Sequence, residues 1–157
     1  MFKTINKVAK ATSSFVEACA RMLLKHEGMR TFPYKCSENK LTIGIGRNLE
    51  ANGISEDEAM YLLNNDIKRV KEELDKNYGA WITFPAEARM VCIDLVFNLG
   101  FEGFMKFKKT RQLMELGMWL EASEELLDSK YHIQIPIRSL YNSRQLALCQ
   151  QKQQKIT

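Results

Sequence analysis

Between Glu27 and Gly46 the chain gathers a carboxylate, a thiol and a hydroxyl at set intervals: Glu27, eight residues, Cys36, five residues, Thr42, then Ile43-Gly44-Ile45-Gly46. A carboxyl group can deliver a proton, an ionised thiol can attack or accept one, and a hydroxyl can orient a water molecule. Each also has a plain reading: Glu27 as a solvated helix-end carboxylate, Thr42 as a β-branched strand residue, Cys36 as a free thiol in a polar turn. What sets the segment apart is that one helix end runs straight into a hairpin carrying the other two groups. Elsewhere the chemistry is thinner. The two histidines, His26 and His132, lie in no nucleophile turn that a Ser/His/Asp triad would need. His26 reads as a helix-end residue facing the C-terminal dipole, and His132 as a surface or cleft residue. Cys19, Cys36, Cys92 and Cys149 are too scattered for a zinc knuckle or a redox pair, so neither metal nor cofactor is expected. Cys92 and Cys149 fall among apolar residues at helical spacing and read as small core hydrophobes. Lys106, Lys108, Lys109 and Arg111, lacking interleaved aromatics, read as a solvated helix start and not as a nucleic-acid patch.

Ser14 and Glu17 form a capping-box pattern, which predicts a helix opening there, with Phe15, Val16, Cys19, Met22 and Leu23 on one face and its end near Gly28. Residues 1–13 are expected to be a basic, surface-packed extension. Pro33, the polar run Ser37–Lys40 and the apolar Leu41–Gly46 fit a short hairpin, the one convincing β segment. Asn52-Gly53 turns the chain. Ser55 and Glu58 form a second capping box, opening a helix whose Ala59, Leu62, Leu63, Ile67, Val70 and Leu74 recur to about residue 76. Pro85 starts the cleanest stripe, Ala88, Val91, Cys92, Leu95, Val96 and Leu99, stopped by Gly100 and expected to be the central buried helix. Helices around 107–116, 118–128 and 137–149 follow, and the polar tail 150–157 is expected to fray.

The chain has 157 residues, 45% hydrophobic and 27% charged, enough for one soluble domain with a real core, expected to span 1–149. Its net charge of +4 is uneven. Lys3, Lys7, Lys10, Arg21, Lys25 and Arg30 face only Glu17 and Glu27 in the first thirty residues, while the remainder is balanced. No polyanionic partner is therefore demanded, and any pull toward an anionic surface comes from the N-terminal segment. No signal peptide or membrane span is readable, so the chain is expected to be made and folded in a cytoplasm, as a monomer without stable membrane insertion.

The spacing of Glu27, Cys36 and Thr42 with Ile-Gly-Ile-Gly resembles the phage lysozymes of the T-even type, whose motif runs Glu, eight residues, Asp, five residues, Thr, Ile-Gly-x-Gly. Ile54-Ser-Glu-Asp-Glu-Ala59, Val96-Phe-Asn98-Leu-Gly100 and Gln134-x-Pro136-x-Arg138 extend the match over roughly 15–149. The resemblance implies an α+β, predominantly helical fold, with a β-hairpin lobe and a helical lobe around one long central helix. It also implies cleavage of the β-1,4 bond between N-acetylmuramic acid and N-acetylglucosamine of bacterial peptidoglycan in a cleft between the lobes. Glycoside hydrolysis needs an acid for the leaving oxygen and a group on the opposite ring face to activate water. Glu27 fits the acid, and the apolar helix before it and the hairpin after it are expected to desolvate it. Arg138 stands where the family pairs an arginine with that acid. Tyr34 is expected to line the cleft, and Asn98 to hydrogen-bond an N-acetyl group.

Two positions depart from the pattern. Arg47 replaces a histidine, and Cys36 replaces the aspartate. An unperturbed thiol titrates near 8.5 and is only a few per cent ionised at neutral pH, unlike an aspartate. Three readings follow: Cys36 is a thiolate base or nucleophile; it holds a water with Thr42; or the chain is a non-catalytic, sugar-binding relative. Retention of Glu27, Tyr34, Thr42, the glycine turn and Arg138 together favours activity. The resemblance further implies a phage endolysin, held in the host cytoplasm until the membrane is permeabilised. The remaining rival is a membrane or nucleic-acid binder working through residues 1–30.

Overall fold

The computed structural model describes the backbone of residues 2–154 and the side chains of residues 14–152. The chain divides into two compact units, residues 1–59 and 60–157.

The first unit opens with α1, Phe2–Glu27. The helix does not start at Ser14, as the capping box predicts. Phe2–Ser13 contains no proline or glycine and includes Ala9 and Ala11, so nothing stops the helix, and Ser14 is carried inside it. The expected surface packing of residues 1–13 concerns side chains outside the described residues. Gly28, at φ +69, donates its N–H to Leu24 O at 3.0 Å and ends the helix as predicted. An antiparallel sheet of β1 (Arg30–Lys35), β2 (Leu41–Gly44) and β3 (Arg47–Asn48), in that order, follows. The hairpin is as expected, and the third strand is an addition two residues long. Pro33, which cannot donate to a ladder, lies on the edge strand β1, where the register shifts between Arg30 and Tyr34. Asn48 accepts from Ala51 N through Oδ1 at 3.0 Å and caps a one-turn helix, α2 (Leu49–Asn52), ended by Gly53.

The helix α3 (Glu56–Asn77) starts at the predicted capping box. Ser55 N donates to Glu58 Oε2 at 2.7 Å, and Glu58 N donates to Ser55 Oγ at 3.2 Å.

The second unit holds the buried apolar core. A 3₁₀ turn, Gly79–Thr83, leads into α4 (Ala86–Met105), interrupted at Gly100, where φ is +70. Ala88, Val91, Cys92, Leu95 and Val96 are buried along α4, the stripe read from sequence. Phe104 is completely buried beside Tyr78, their rings 5.3 Å apart, and belongs to the core. The helices α5 (Lys108–Glu115), α6 (Trp119–Leu127) and α8 (Pro136–Gln154) match expectation. Two details differ. A short α7, Lys130–Gln134, capped by Ser129 Oγ, was not expected, and α8 continues through Gln150–Gln154, which are helical where a frayed tail is predicted. No glycine or proline interrupts residues 137–154, so the helix simply propagates. The architecture is the expected α+β, predominantly helical one, with a small antiparallel sheet.

Candidate active site

Four of the predicted residues, Glu27, Tyr34, Cys36 and Thr42, lie in the first unit, with Glu27 at one end of the hairpin and Cys36 and Thr42 at the other. The end of α1 brings Glu27 onto the turn between β2 and β3. An atom in the Cβ position of Gly46 would stand 3.1 Å from Glu27 Oε2, so the carboxylate rests against bare backbone. The Glu27 side chain is exposed, which corrects the expectation that its flanking segments desolvate it.

At the other end of β2, Cys36 and Thr42 flank the polar turn. Cys36 N donates to Lys40 O at 3.0 Å and Asn39 N to Cys36 O at 2.9 Å, closing a tight turn with Asn39 at φ +58. The Lys40 backbone foremost, then that of Glu38 and more weakly the Thr42 hydroxyl, holds the half-buried thiol below its ordinary range, against partial desolvation and the Glu38 carboxylate. Thr42 is buried, and its Oγ1 also lies 3.0 Å from Lys40 O. With one proton, that hydroxyl serves the carbonyl or the thiolate at a given moment. Tyr34 pairs with Thr42 across the strands, on the same face of the sheet, and the Arg30 guanidinium stacks 4.4 Å from the centroid of its ring.

The hairpin is braced at both ends by ion pairs that the sequence did not announce. Glu50 Oε1 accepts from Leu41 N at 3.0 Å and from Lys35 Nζ at 3.2 Å, and the Leu41 amide foremost holds this carboxyl below the usual range. Arg47, the departure from the family histidine, donates through Nε to Gly53 O at 2.7 Å and through NH1 to Glu58 Oε1 at 2.7 Å. Only the capping box hinted at Glu58, and nothing in the spacing hinted that it would also serve Arg47.

The other two predicted residues belong to the second unit. The Arg138 guanidinium forks onto Asp94: Nε lies 3.0 Å from Oδ1 and 2.9 Å from Oδ2, and NH2 lies 2.7 Å from Oδ1. Asn142 Nδ2 completes the cluster at 2.7 Å from Oδ2. Asp94 shares no periodic stripe with Arg138 in the sequence, so nothing there announced the pair. Asn98 keeps a buried Oδ1 that has no hydrogen-bond partner, an unmet acceptor of the kind a ligand N–H would satisfy. Among the described residues no group of three or more histidine, cysteine or carboxylate side chains is arranged to hold a metal ion.

Comparison with known families places residues 24–146 in register with the phage lysozymes. The chain belongs to that family. As a phage lysozyme it is similar to two proteins of Dictyostelium discoideum. One, described as probable T4-type lysozyme 2, is 28% identical over 154 residues, covering 79% of this chain and 90% of that protein. The other, probable T4-type lysozyme 1, is 26% identical over 153 residues with the same coverage. At the level of the family the chain is a lysozyme, a glycoside hydrolase acting on peptidoglycan. No helix among the described residues is long and apolar enough to cross a membrane.

Proposed function

We propose that this phage lysozyme is a catalytically active endolysin that cleaves the β-1,4 bond between N-acetylmuramic acid and N-acetylglucosamine, using Glu27 as the acid and Cys36, with Thr42, in place of the usual aspartate. The observation that carries this reading is the placement of the Glu27 carboxylate against Gly46 of the same small sheet whose hairpin turn holds Cys36 and Thr42. In the reaction, Glu27 protonates the glycosidic oxygen as its bond to the anomeric carbon breaks. A water held by Thr42 forms the new bond to that carbon and passes a proton to the Cys36 thiolate. Glu27 is left ionised and Cys36 protonated, and exchange with solvent resets both. Because Glu27 is exposed in the free protein, the desolvation that an acid of this kind needs is supplied by the bound glycan. Tyr34 offers a ring face to the sugar. The protein works as a monomer, is held in the host cytoplasm and reaches the wall once the membrane has been breached.

Clearing of outer-membrane-permeabilised bacteria tests the reading. The intact protein is expected to reduce turbidity, and Glu27→Gln to abolish that activity while binding to isolated peptidoglycan persists. Binding without any clearing by the intact protein would establish the non-catalytic alternative instead.

A further inference from the structure

We infer that Gly46 is a positioning residue: its missing side chain forms the floor on which the Glu27 carboxylate rests, and this sets where the proton donor stands. The inference rests on the reading of Glu27 as the acid. Two glycines bound the turn after β2, and they differ in what they do. Gly44 has φ +67, yet a Cβ there would meet nothing within 4 Å, so it is required only for its backbone conformation. Gly46 has φ +73 and carries the same conformational requirement. In addition, a Cβ there would lie 3.1 Å from Oε2, 3.4 Å from Cδ and 3.5 Å from Cγ of Glu27. All three nearest atoms belong to that one side chain, so a methyl group at position 46 would press first on the carboxylate.

The backbone at this point is not free to yield. Arg47, the next residue, is tied through Nε to Gly53 O and through NH1 to Glu58 Oε1, both at 2.7 Å. Glu58 is itself engaged in the capping box of α3 through Ser55 N at 2.7 Å. Added bulk at position 46 is therefore relieved mainly by moving the Glu27 side chain, by a few tenths of an ångström or by rotation out of its well. Displacement of a catalytic group on this scale is felt in the chemical step far more than in substrate binding.

The experiment compares Gly46→Ala with Gly44→Ala in the full chain. Both place an L side chain at positive φ and are expected to lower Tm by similar amounts. Only Gly46→Ala is expected to shift the carboxyl-carbon resonance of Glu27 and to lower kcat about tenfold on soluble uncross-linked glycan strands, with KM within about twofold. Gly46→Asn, whose side chain tolerates left-handed backbone, gives the same comparison if the alanine variant does not fold. A Glu27 resonance as undisturbed in the Gly46 variants as in Gly44→Ala overturns the inference. The resonance requires no turnover, so an inactive wild-type protein would defeat the lysozyme mechanism while leaving the Gly46 comparison decisive.

Discussion

At the scale of single residues, three of the four cysteines separate by environment. Burial pushes the Cys92 thiol up to about 12, and Cys149 is raised by burial as well, as expected of core hydrophobes. Cys36 moves the other way, held down foremost by the Lys40 amide. Its thiolate is therefore favoured by folding, and the associated stability is present above the unfolded thiol range and lost as pH falls through the lower folded value. Two outcomes follow. Iodoacetamide near neutral pH should modify Cys36 and spare Cys92, as peptide mapping would show. Lytic activity should climb with pH through a titration lower than that of an ordinary thiol, and Cys36→Asp should move that rise into the carboxylate range. A flat profile that survives complete alkylation of Cys36 would remove the thiolate from the mechanism. The identity and spacing of these residues were legible in the chain. The amides that tune Cys36 were not, because their direction depends on the turn closed by the Cys36–Lys40 and Asn39–Cys36 backbone bonds.

At the scale of elements, glycine shows how context reverses a rule. Gly103 lies in the last part of α4 with an ordinary φ, and alanine at such a position usually stabilises a helix by up to about 1 kcal/mol. Here a Cβ would stand 2.7 Å from Leu99 Cβ. Gly103→Ala should accordingly destabilise the protein, by about 1–3 kcal/mol in chemical denaturation, the cost of an overpacked contact. A gain in stability would mean that α4 relaxes after its Gly100 break. Helical periodicity foretold α3, α4 and α6 well: α4 and α6 bury a sustained stripe, while α3 buries only Val70 and Leu74 and leaves Leu62, Leu63 and Ile67 exposed. It missed β3, α2 and α7, which are two, four and five residues long, too short to show a period. The Ser14 capping box misled for the opposite reason: the residues before it already favour helix, so there was no end to cap.

At the scale of the whole molecule, carboxylates tie several elements together. Glu50 is held low by the Leu41 amide, Glu58 by the Ser55 amide, and Glu87 by the Lys152 side chain, which joins α4 to α8. All three have folded values below the unfolded one, near 4.3. Their stabilisation is fully present above that value and is lost as pH falls through the lower folded values. Tm is thus expected to be level from about pH 5 to neutrality and to drop below about pH 4, with Glu58→Gln shallower in that drop because one contributor is gone. An equal acid slope in Glu58→Gln and the wild type would show that this carboxylate does not report on folding.

The chain by itself specified the class of fold, the principal helices, the hairpin and the triplet Glu27, Cys36 and Thr42, because local propensity, periodicity and motif spacing are properties of neighbours along the backbone. Tertiary structure decided the rest. It set Gly46 against the Glu27 carboxylate, gave Arg47 to Glu58, gave Arg138 to Asp94, and left Asn98 with an unanswered acceptor. These contacts join groups up to 44 residues apart, and their partners are selected by the directions in which packed elements aim their side chains, a property that no window of sequence contains.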